Sequence, residues 1–353
     1  MAAATHRPSA KKRERKLAVK PIEKQSSLAS LIIAHEIDVP GAILVAILVA
    51  SAMGSTTATK MVKLSYETSP GSNLYDKGWD DAYFVGFWVL AFTFLRAAVM
   101  RYVFTPFAKA YGADTPAKQL RFAEQGWSFA FYSIFWSLGM YVMYNSPHWF
   151  NPAEYWVGYP HILISGWMKW YYLAQIGFWI QQFYVLHIEK RRKDHYAMLS
   201  HHVITFALLV SSYCVNFTRI GNAVLCCMDF ADILLPLAKI LNYLNLRTIC
   251  DIAFGLFAVG WLVTRHILFT IIIWSTAFDP PKYMDMLWEP EKGKYFTPTT
   301  QKIYLGLFLL LDLIILFWFA MILRVIIKVL TGNAASDTRS DSEDSGDEDD
   351  KQQ

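Results

Sequence analysis

The chain has 353 residues, of which 54% are hydrophobic and only 18% are charged. An average soluble domain carries about 25% charged residues. Here the charges crowd the two ends and a few short loops, which excludes an ordinary soluble globular protein. The formal net charge of +4 hides two opposed tails, a basic one over residues 1–38 and an acidic one over 332–353. Both tails are too polar to pack, so we expect disordered segments there.

Eight apolar stretches between the tails are long enough to cross a bilayer, since a spanning helix needs about 20 mostly apolar residues. They lie at 39–58, 82–104, 124–144, 170–188, 197–215, 222–244, 250–274 and 303–330. This pattern predicts an all-α, polytopic transmembrane helical bundle of about eight spans. Lys and Arg mark cytosolic loops. The basic N-terminal tail and the run Lys190–Lys193 therefore predict that both termini are cytosolic.

The chain has four cysteines, and they lie in or beside these apolar stretches: Cys214, Cys226, Cys227 and Cys250. No CxxC pair is present. The pattern is typical of small buried hydrophobic residues and favours neither a disulfide framework nor a zinc site. The sequence also shows no basic surface interleaved with aromatic residues, so we expect no nucleic acid among the partners. The apolar stretches lead us to expect contacts with membrane lipids.

Ionisable side chains are concentrated in the fifth and sixth predicted spans, although each costs about 2.5–3.5 kcal/mol at the centre of a spanning helix. His201 and His202 lie in the fifth. Asp229 and Asp232 lie in the sixth, three residues apart and so on one helix face. A short turn joins the two spans, so we expect antiparallel neighbours whose polar faces meet in a common cavity. Histidine can act as a general base or as an acyl-carrying nucleophile, and a nearby carboxylate orients it. These four residues therefore predict a catalytic site for acyl transfer.

Two other interpretations of these residues stay open. One is a buried polar network that only ties two helices together. The other is a metal site, but the chain has nine histidines and those at 195, 201 and 202 do not form an HxxHH box. Arg265 lies inside the seventh predicted span, where we expect it to face a substrate phosphate or a carboxylate of the site.

A recognisable pattern runs from His201 to Leu244. It consists of paired His, then Thr, Ser-Tyr, Asn, Arg-x-Gly, Asp-x-x-Asp and Lys, supplied here by His201, His202, Thr205, Ser212, Tyr213, Asn216, Arg219, Gly221, Asp229, Asp232 and Lys239. It resembles the Lag motif of the ceramide synthases, which are sphingoid-base N-acyltransferases with a TLC domain. The resemblance covers 117–331 and leaves 39–116 as additional N-terminal transmembrane helices. Animal members carry His-Asp where this chain has Met228-Asp229, so it resembles the fungal type more closely.

The resemblance implies a reaction and a location. A ceramide synthase transfers a fatty acyl group from acyl-CoA to the amine of a sphingoid base, dihydrosphingosine or phytosphingosine, in the endoplasmic reticulum membrane. It implies a TLC core of six or more helices and no cofactor, with acyl-CoA as co-substrate. A small single-span regulatory subunit and a homo- or heterodimer are compatible with it. The alternative is a non-enzymatic TLC-domain lipid sensor or membrane accessory protein, but such proteins often lack the complete His/Asp set.

The resemblance also implies roles for individual residues. The catalytic residues are His201, His202, Asp229 and Asp232. The substrate-binding residues are Ser212, Tyr213, Asn216, Arg219, Lys239 and Arg265. No metal ligands are implied. In the acidic tail, three hydroxyl residues each precede an acidic residue by three positions, as an acidophilic kinase requires: Thr338, Ser340 and Ser345. Phosphorylation would add about −1.5 to −2 charges per site; the alternative is a merely solvated tail.

Overall fold

The computed structural model describes residues 33–189 and 193–331, and the described residues from Glu36 onward belong to one compact unit. Three sequence predictions lie outside the described residues. They are most of the basic tail, the core of the basic run at 190–192, and the acidic tail with its three phosphorylation candidates, Thr338, Ser340 and Ser345.

Helices make up nearly all the regular structure of the described residues. They are α1 (Asp38–Ala52), α2 (Thr56–Val62), α3 (Asp81–Val99), α4 (Thr105–Ala110), α5 (Pro116–Tyr144), α6 (Gly166–Ile188), α7 (His195–Cys214), α8 (Thr218–Tyr243), α9 (Arg247–Trp261), α10 (Phe269–Phe278), α11 (Pro280–Tyr283) and α12 (Pro298–Leu330). The π-helical turns Met100–Phe104 and Leu262–Leu268 join α3 to α4 and α9 to α10. Strands β1 (Leu74–Tyr75) and β2 (Ile164–Ser165) pair antiparallel. The all-α prediction is confirmed.

Local chemistry explains where several of these helices begin and end. Thr115 accepts a hydrogen bond from the backbone N–H of Lys118 at 3.2 Å and precedes a proline at the first helical position of α5. Ser165 caps α6 in the same way. Asn216 has φ 67°, a left-handed conformation that asparagine tolerates better than most residues. It ends α7 and reverses the chain, so α7 and α8 form a hairpin.

Four helical segments are long and apolar enough to cross a membrane: Asp81–Ala110, His195–Cys214, Arg247–Phe278 and Pro298–Lys328. A fifth crossing would come from α1 and α2, which are bent by 118° at their short break. The described residues thus contain four to five candidate spans, where the sequence predicts about eight. Three of the other predicted positions are occupied by α5, α6 and α8. Each of these helices carries buried polar side chains, such as Gln125, Gln175 and Asn222, which lower its overall hydropathy.

Most of the core of the described residues lies in two large clusters, and a third, small one contains Ala108, Ala113 and Phe122. In one large cluster, α8 packs against α5 and α9, and residues from α9, α10 and α12 complete the cluster, as in the contact of Phe269 with Phe308 at 5.6 Å between ring centroids. In the other large cluster, α3 packs against α6, and the rings of Phe131 and Phe178 stack at 3.5 Å. Helix α8, which carries both motif aspartates, is therefore surrounded by protein on several sides.

The connecting segments at one end of the bundle meet in what we call the loop cap, made of residues 63–80, 145–165, 215–217 and 279–297. The pairing of β1 with β2 joins its first two segments. A fully buried ion pair lies beneath it, with Lys169 Nζ 2.7 Å from Asp81 Oδ1. The hydroxyl of Tyr213 donates to the other oxygen of Asp81 at 2.8 Å. The start of α3 is thereby tied to both α6 and α7.

Candidate active site

A cavity with about 740 Å³ of empty space opens between α6, α7, α8, α10 and α12. The side chains that line it are Trp156, Tyr172, Trp179, His201, Thr205, Leu208, Leu209, Ser212, Phe217, Ile220, Gly221, Val224, Leu225, Met228, Asp229, Asp232, Thr276, Phe296, Tyr304, Phe308 and Leu311. Most of them are apolar or aromatic, so the cavity suits a hydrocarbon chain.

The cavity is long and has two chemically different ends. Helix α7 contributes His201, Thr205, Leu208 and Ser212 at intervals of three to four residues, which places them on one helix face. At 1.5 Å per residue, His201 and Ser212 are about 16 Å apart along the helix axis. His201 lies at the end that also holds the two aspartates. The other end lies under the loop cap and is closed mainly by aromatic rings.

The two motif histidines have different positions. The ring of His201 lies between two indoles, with centroids 5.6 Å from Trp179 and 5.3 Å from Trp318, and its side chain lines the cavity. His202 is buried against Trp179 and Phe183 and is not among the cavity-lining residues. Its Nδ1 lies 2.7 Å from the carbonyl oxygen of Met198, so Nδ1–H donates and Nε2 keeps a lone pair. That tautomer suits a base or a nucleophile.

Three polar atoms beside the histidine end are buried and have no hydrogen-bond partner among the described residues. They are Nδ1 of His201, Nε1 of Trp179 and Oγ1 of Thr205, and all three side chains line the cavity. An unpaired buried polar group destabilises a fold by about 1–3 kcal/mol, and a catalytic or binding role is one of the few explanations for it. The residues that carry these unpaired groups all border the cavity.

The two aspartates are held by different neighbours. Gln175 donates to Asp229 Oδ2 at 3.1 Å, and Arg265 donates to Asp232 Oδ2 at 2.7 Å. His201 and Asp229, both described, line the same cavity without a hydrogen bond between them. The predicted common cavity of α7 and α8 is therefore present, and His201, Asp229 and Asp232 all line its wall.

Arg265 contacts the carboxylate of Asp232. The sequence predicted that it faces either a site carboxylate or a substrate phosphate. Besides Asp232, its guanidinium donates to the carbonyl oxygen of Met228 at 2.6 Å. It also stacks on the ring of Trp261 at 4.1 Å. The π-helical turn Leu262–Leu268, which contains Arg265, adds one residue per turn locally and is a feature often found at functional sites.

The other predicted binding residues lie in several places. Ser212 lines the cavity and shares a 2.6 Å hydrogen bond with the hydroxyl of Tyr172. Tyr213 bonds Asp81 beneath the loop cap. Arg219 donates to the backbone carbonyl of Glu154 at 2.7 Å, within the cap. Tyr213, Asn216, Arg219 and Lys239 are not among the cavity-lining side chains of the described structure.

Several residues that sequence reasoning missed belong to the site. Gln175 and Trp179 are four residues apart on α6, and a glutamine within an apolar stretch was the available signal. Trp318 flanks His201 and donates its indole N–H to Asp194 Oδ2 at 3.1 Å. Nothing in the sequence around Trp318 distinguishes it from the other aromatic residues of α12.

The arrangement has a definite chemical capacity. It combines a histidine that lines the cavity, a second histidine in a basic tautomer behind it, two carboxylates at the same end of the cavity and a mostly apolar lining. Among the described residues, no cluster of three or more His, Cys, Asp or Glu side chains is arranged to hold a metal ion. General acid–base or nucleophilic acyl transfer to an amphipathic substrate is the reaction type that fits these groups.

Comparison with known proteins places the chain in a family. The family model described as TLC domain matches residues 121–324. Sphingosine N-acyltransferase lag1 of Schizosaccharomyces pombe is 41% identical over 287 residues, covering 81% of this chain and 73% of the relative. Ceramide Synthase FUM18 of Gibberella moniliformis is 37% identical over 81% of this chain and 73% of the relative. Ceramide synthase LAG1 of Saccharomyces cerevisiae is 34% identical, with 80% and 69% covered. The chain therefore belongs to the TLC-domain family and, within it, to the fungal sphingosine N-acyltransferases, or ceramide synthases.

Proposed function

We propose that this chain is a ceramide synthase that transfers a fatty acyl group from acyl-CoA to the amine of a sphingoid base, dihydrosphingosine or phytosphingosine. The observation that carries the proposal is the cavity itself. Its histidine end provides groups for acyl transfer, and its mostly apolar and aromatic lining suits a hydrocarbon chain. No metal or cofactor takes part in the proposed reaction, and acyl-CoA is the co-substrate.

The substrates fit the cavity in one orientation. The acyl chain lies along the wall toward the loop cap, because most of that part of the lining is aromatic or aliphatic. The thioester carbonyl then lies beside His201 and the unpaired groups of Trp179 and Thr205. The amine of the sphingoid base, a cation at neutral pH, is attracted to the end where Asp229 and Asp232 lie.

The bond changes are those of an amide synthesis from a thioester. The amine nitrogen forms a bond to the carbonyl carbon, the C–S bond breaks, and CoA leaves as a thiol with the proton that the amine loses. A histidine either removes that proton or first carries the acyl group itself, and both routes use an imidazole lone pair. Asp229, held by Gln175, stabilises the positive charge that develops on the amine or the imidazole.

The membrane arrangement belongs to the same proposal. Eight helical segments cross the endoplasmic reticulum membrane, and both termini are cytosolic. The segments are α1, the α3–α4 pair, α5, α6, α7, α8, the α9–α10 pair and α12. The loop cap is then luminal. Helix α7 begins on the cytosolic side, so His201 lies nearer that side, where acyl-CoA arrives. The polar faces of α5, α6 and α8 are covered by neighbouring helices, which makes their crossing compatible with lipid outside.

Several further assignments complete the proposal. Residues 117–331 form the catalytic TLC domain, with the Lag motif at 201–244, and 39–116 contribute additional transmembrane helices. A small single-span subunit or a second ceramide synthase chain is a compatible partner. Phosphorylation of the acidic tail at Thr338, Ser340 and Ser345 is a compatible regulation. The full His/Asp set argues against a non-enzymatic lipid sensor or membrane accessory role.

The test is an assay of the purified protein in detergent with dihydrosphingosine and a series of C16 to C26 acyl-CoAs, with ceramide measured by mass spectrometry. We expect ceramide from the wild type and a loss of at least 100-fold in His201→Ala and His202→Ala, in line with the 10²–10⁴-fold contribution of general acid–base groups. Asp232→Ala should also lose activity. Asp312→Asn, which lies on α12 outside the cavity lining, serves as the matched control.

If the wild type is inert alone, a single-span partner is co-expressed. Persistent inactivity, or full activity of the double histidine variant, contradicts the proposal.

A further inference from the structure

Asn216, at the turn between α7 and α8, holds two segments of the loop cap with one side chain. Its side chain is buried, with the residue 5% exposed. Its Oδ1 accepts a hydrogen bond from Lys77 Nζ at 2.5 Å, and its Nδ2 donates to the carbonyl oxygen of Gly293 at 2.9 Å. Lys77 also donates to the carbonyl oxygen of His161. The motif asparagine therefore links the segment after α2 and the segment before α12.

A second contact holds the same part of the loop cap. The hydroxyl of Tyr159 donates to the carbonyl oxygen of Val215 at 3.0 Å and accepts from the N–H of Tyr295 at 3.0 Å. Its ring stacks on Phe217 with centroids 4.8 Å apart. Tyr159 and Asn216 thus fasten residues 293–295 to the α7–α8 turn from two sides.

The approach at Gly293 is close enough to depend on glycine. Gly293 has φ +70°, a conformation that glycine adopts without penalty. A Cβ there would lie 3.0 Å from the side chain of Ile162 and 3.1 Å from Nδ2 of Asn216. The segment therefore has little freedom to shift while these contacts persist.

Phe296 follows directly after the fastened residues and closes the cavity. It is completely buried. Its ring lies 5.5 Å from Trp156 and 4.8 Å from Phe217 between centroids, and all three residues line the end of the cavity opposite His201. Phe296 therefore forms part of the floor of the cavity, together with Trp156 and Phe217.

We propose that Asn216 is a positioning residue that determines acyl-chain length: by fastening Gly293 it holds Phe296 as the floor of the acyl channel. The inference rests on the proposed function, since it requires an acyl chain that extends from His201 toward the loop cap. It assigns to Asn216 a role without substrate contact. A residue that bound the substrate headgroup would affect all acyl-CoAs alike, whereas a residue that holds the floor changes the ranking of long against short chains.

The decisive variant is Asn216→Gly. Glycine keeps the left-handed turn at φ 67° and deletes both hydrogen bonds of the side chain. With a C16 to C26 acyl-CoA series, we expect kcat/KM for chains longer than the preferred one to rise several-fold relative to the preferred chain. The preferred chain itself should lose less than about 10-fold. Tyr159→Phe should shift the profile in the same direction, and the double variant should shift it further.

Two comparison variants separate the possible causes of failure. Glu154→Gln changes another loop-cap contact, with Arg219, and should leave the profile unchanged. Phe296→Ala enlarges the floor directly and should extend the accepted chain length whether or not Asn216 acts as proposed. An inactive wild type counts against the proposed function. The inference is overturned, and the proposed function kept, by the following combination of results. The wild type is active and Phe296→Ala accepts longer acyl chains, but the chain-length profile is unchanged or uniformly lowered in both Asn216→Gly and Tyr159→Phe. If Asn216→Gly does not fold, the acyl-chain-length profile of Tyr159→Phe decides: a shift toward longer chains supports the inference, and an unchanged profile overturns it.

Discussion

Arg265 and Asp232 form an ion pair of 2.7 Å inside the helical bundle, between the π-helical turn after α9 and the middle of α8. The side chain of Arg265 is 5% exposed and that of Asp232 is 33% exposed, so the pair lies at the edge of the cavity. A buried guanidinium needs its counter-ion, and a carboxylate beside an apolar channel needs its cation. Each residue therefore explains the presence of the other inside the bundle.

Replacement of Arg265 by methionine should destabilise the protein by about 3 kcal/mol, the lower end for a broken buried ion pair, because the 2.7 Å contact with Asp232 is lost. The double variant Arg265→Met/Asp232→Asn should regain most of that stability, since both charges of the pair are removed. Thermal unfolding in detergent, followed by tryptophan fluorescence, measures both. Additive losses in the double variant would show that the two side chains do not stabilise each other.

Gly221 should not tolerate a side chain, because Tyr172 occupies the space. A Cβ at this position would lie 1.6 Å from the hydroxyl oxygen of Tyr172 and 3.1 Å from Oγ of Ser212. We expect Gly221→Ala to lower stability by at least about 1–3 kcal/mol, as overpacking does, and to lower ceramide formation with it. Tyr172→Phe removes the clashing oxygen and should rescue part of the loss. If the alanine variant has wild-type stability, the packing described between α6 and α8 is wrong.

The segment before the matched TLC region should be required for folding. Asp81 lies outside residues 121–324, yet it pairs with the buried Lys169 and accepts from Tyr213. Breaking a buried pair by removal of one partner destabilises a fold by about 3–5 kcal/mol. We therefore expect Lys169→Met to lower the unfolding temperature sharply, and a fragment of residues 117–331 to aggregate. Recovery of a monodisperse, active fragment would contradict this.

Two loop-cap histidines should make the protein acid-sensitive. Burial lowers the pKa of His148 and of His161 from 6.5 to about 4. The imidazole of His148 bonds Asn222 at 3.0 Å, and that of His161 bonds the carbonyl oxygen of Val157 at 3.0 Å. Between pH 6.5 and 4 the unfolded chain binds more protons than the folded one, so stability is complete above pH 6.5 and falls as the pH drops toward 4. The shift corresponds to about 3 kcal/mol for each histidine.

The check for this acid sensitivity is the unfolding temperature between pH 7.5 and 4.5 for the wild type and for His148→Gln/His161→Gln. The double variant keeps a hydrogen-bond donor at both positions but does not titrate there. Its unfolding temperature should therefore fall less with acid than that of the wild type. Parallel curves would assign the acid sensitivity to carboxylates instead.

The sequence predicted that α7 and α8 share a polar cavity, and the structure contains one. Helical spacing put Asp229 and Asp232 on one face, and a short turn made α7 and α8 neighbours, so a common cavity followed. The same reasoning could not separate His201 from His202. Adjacent residues point about 100° apart on a helix, and only the surrounding helices decide that the first faces the cavity and the second packs behind it.

The span count shows a different limit. Hydropathy predicts about eight spans, while four to five helical segments of the described residues are long and apolar enough to cross a membrane. Helices such as α6 are covered by other helices and can carry Lys169, Gln175 and Gln181 inside the protein. A sequence records the polarity of a segment, but not whether that polarity faces lipid or protein.

By itself the sequence determined the all-α membrane character, the place of most helices, the family resemblance and the residues of the motif, because hydrophobic periodicity and local spacing are properties of one segment at a time. Only the tertiary structure decided the partner of each polar side chain. Asn216 holds Gly293 and Lys77, Tyr213 holds Asp81, and Arg265 pairs with Asp232. These contacts join residues 33 to 139 positions apart in the chain. Such pairings depend on how whole helices and loops pack, and that packing cannot be predicted from the local sequence.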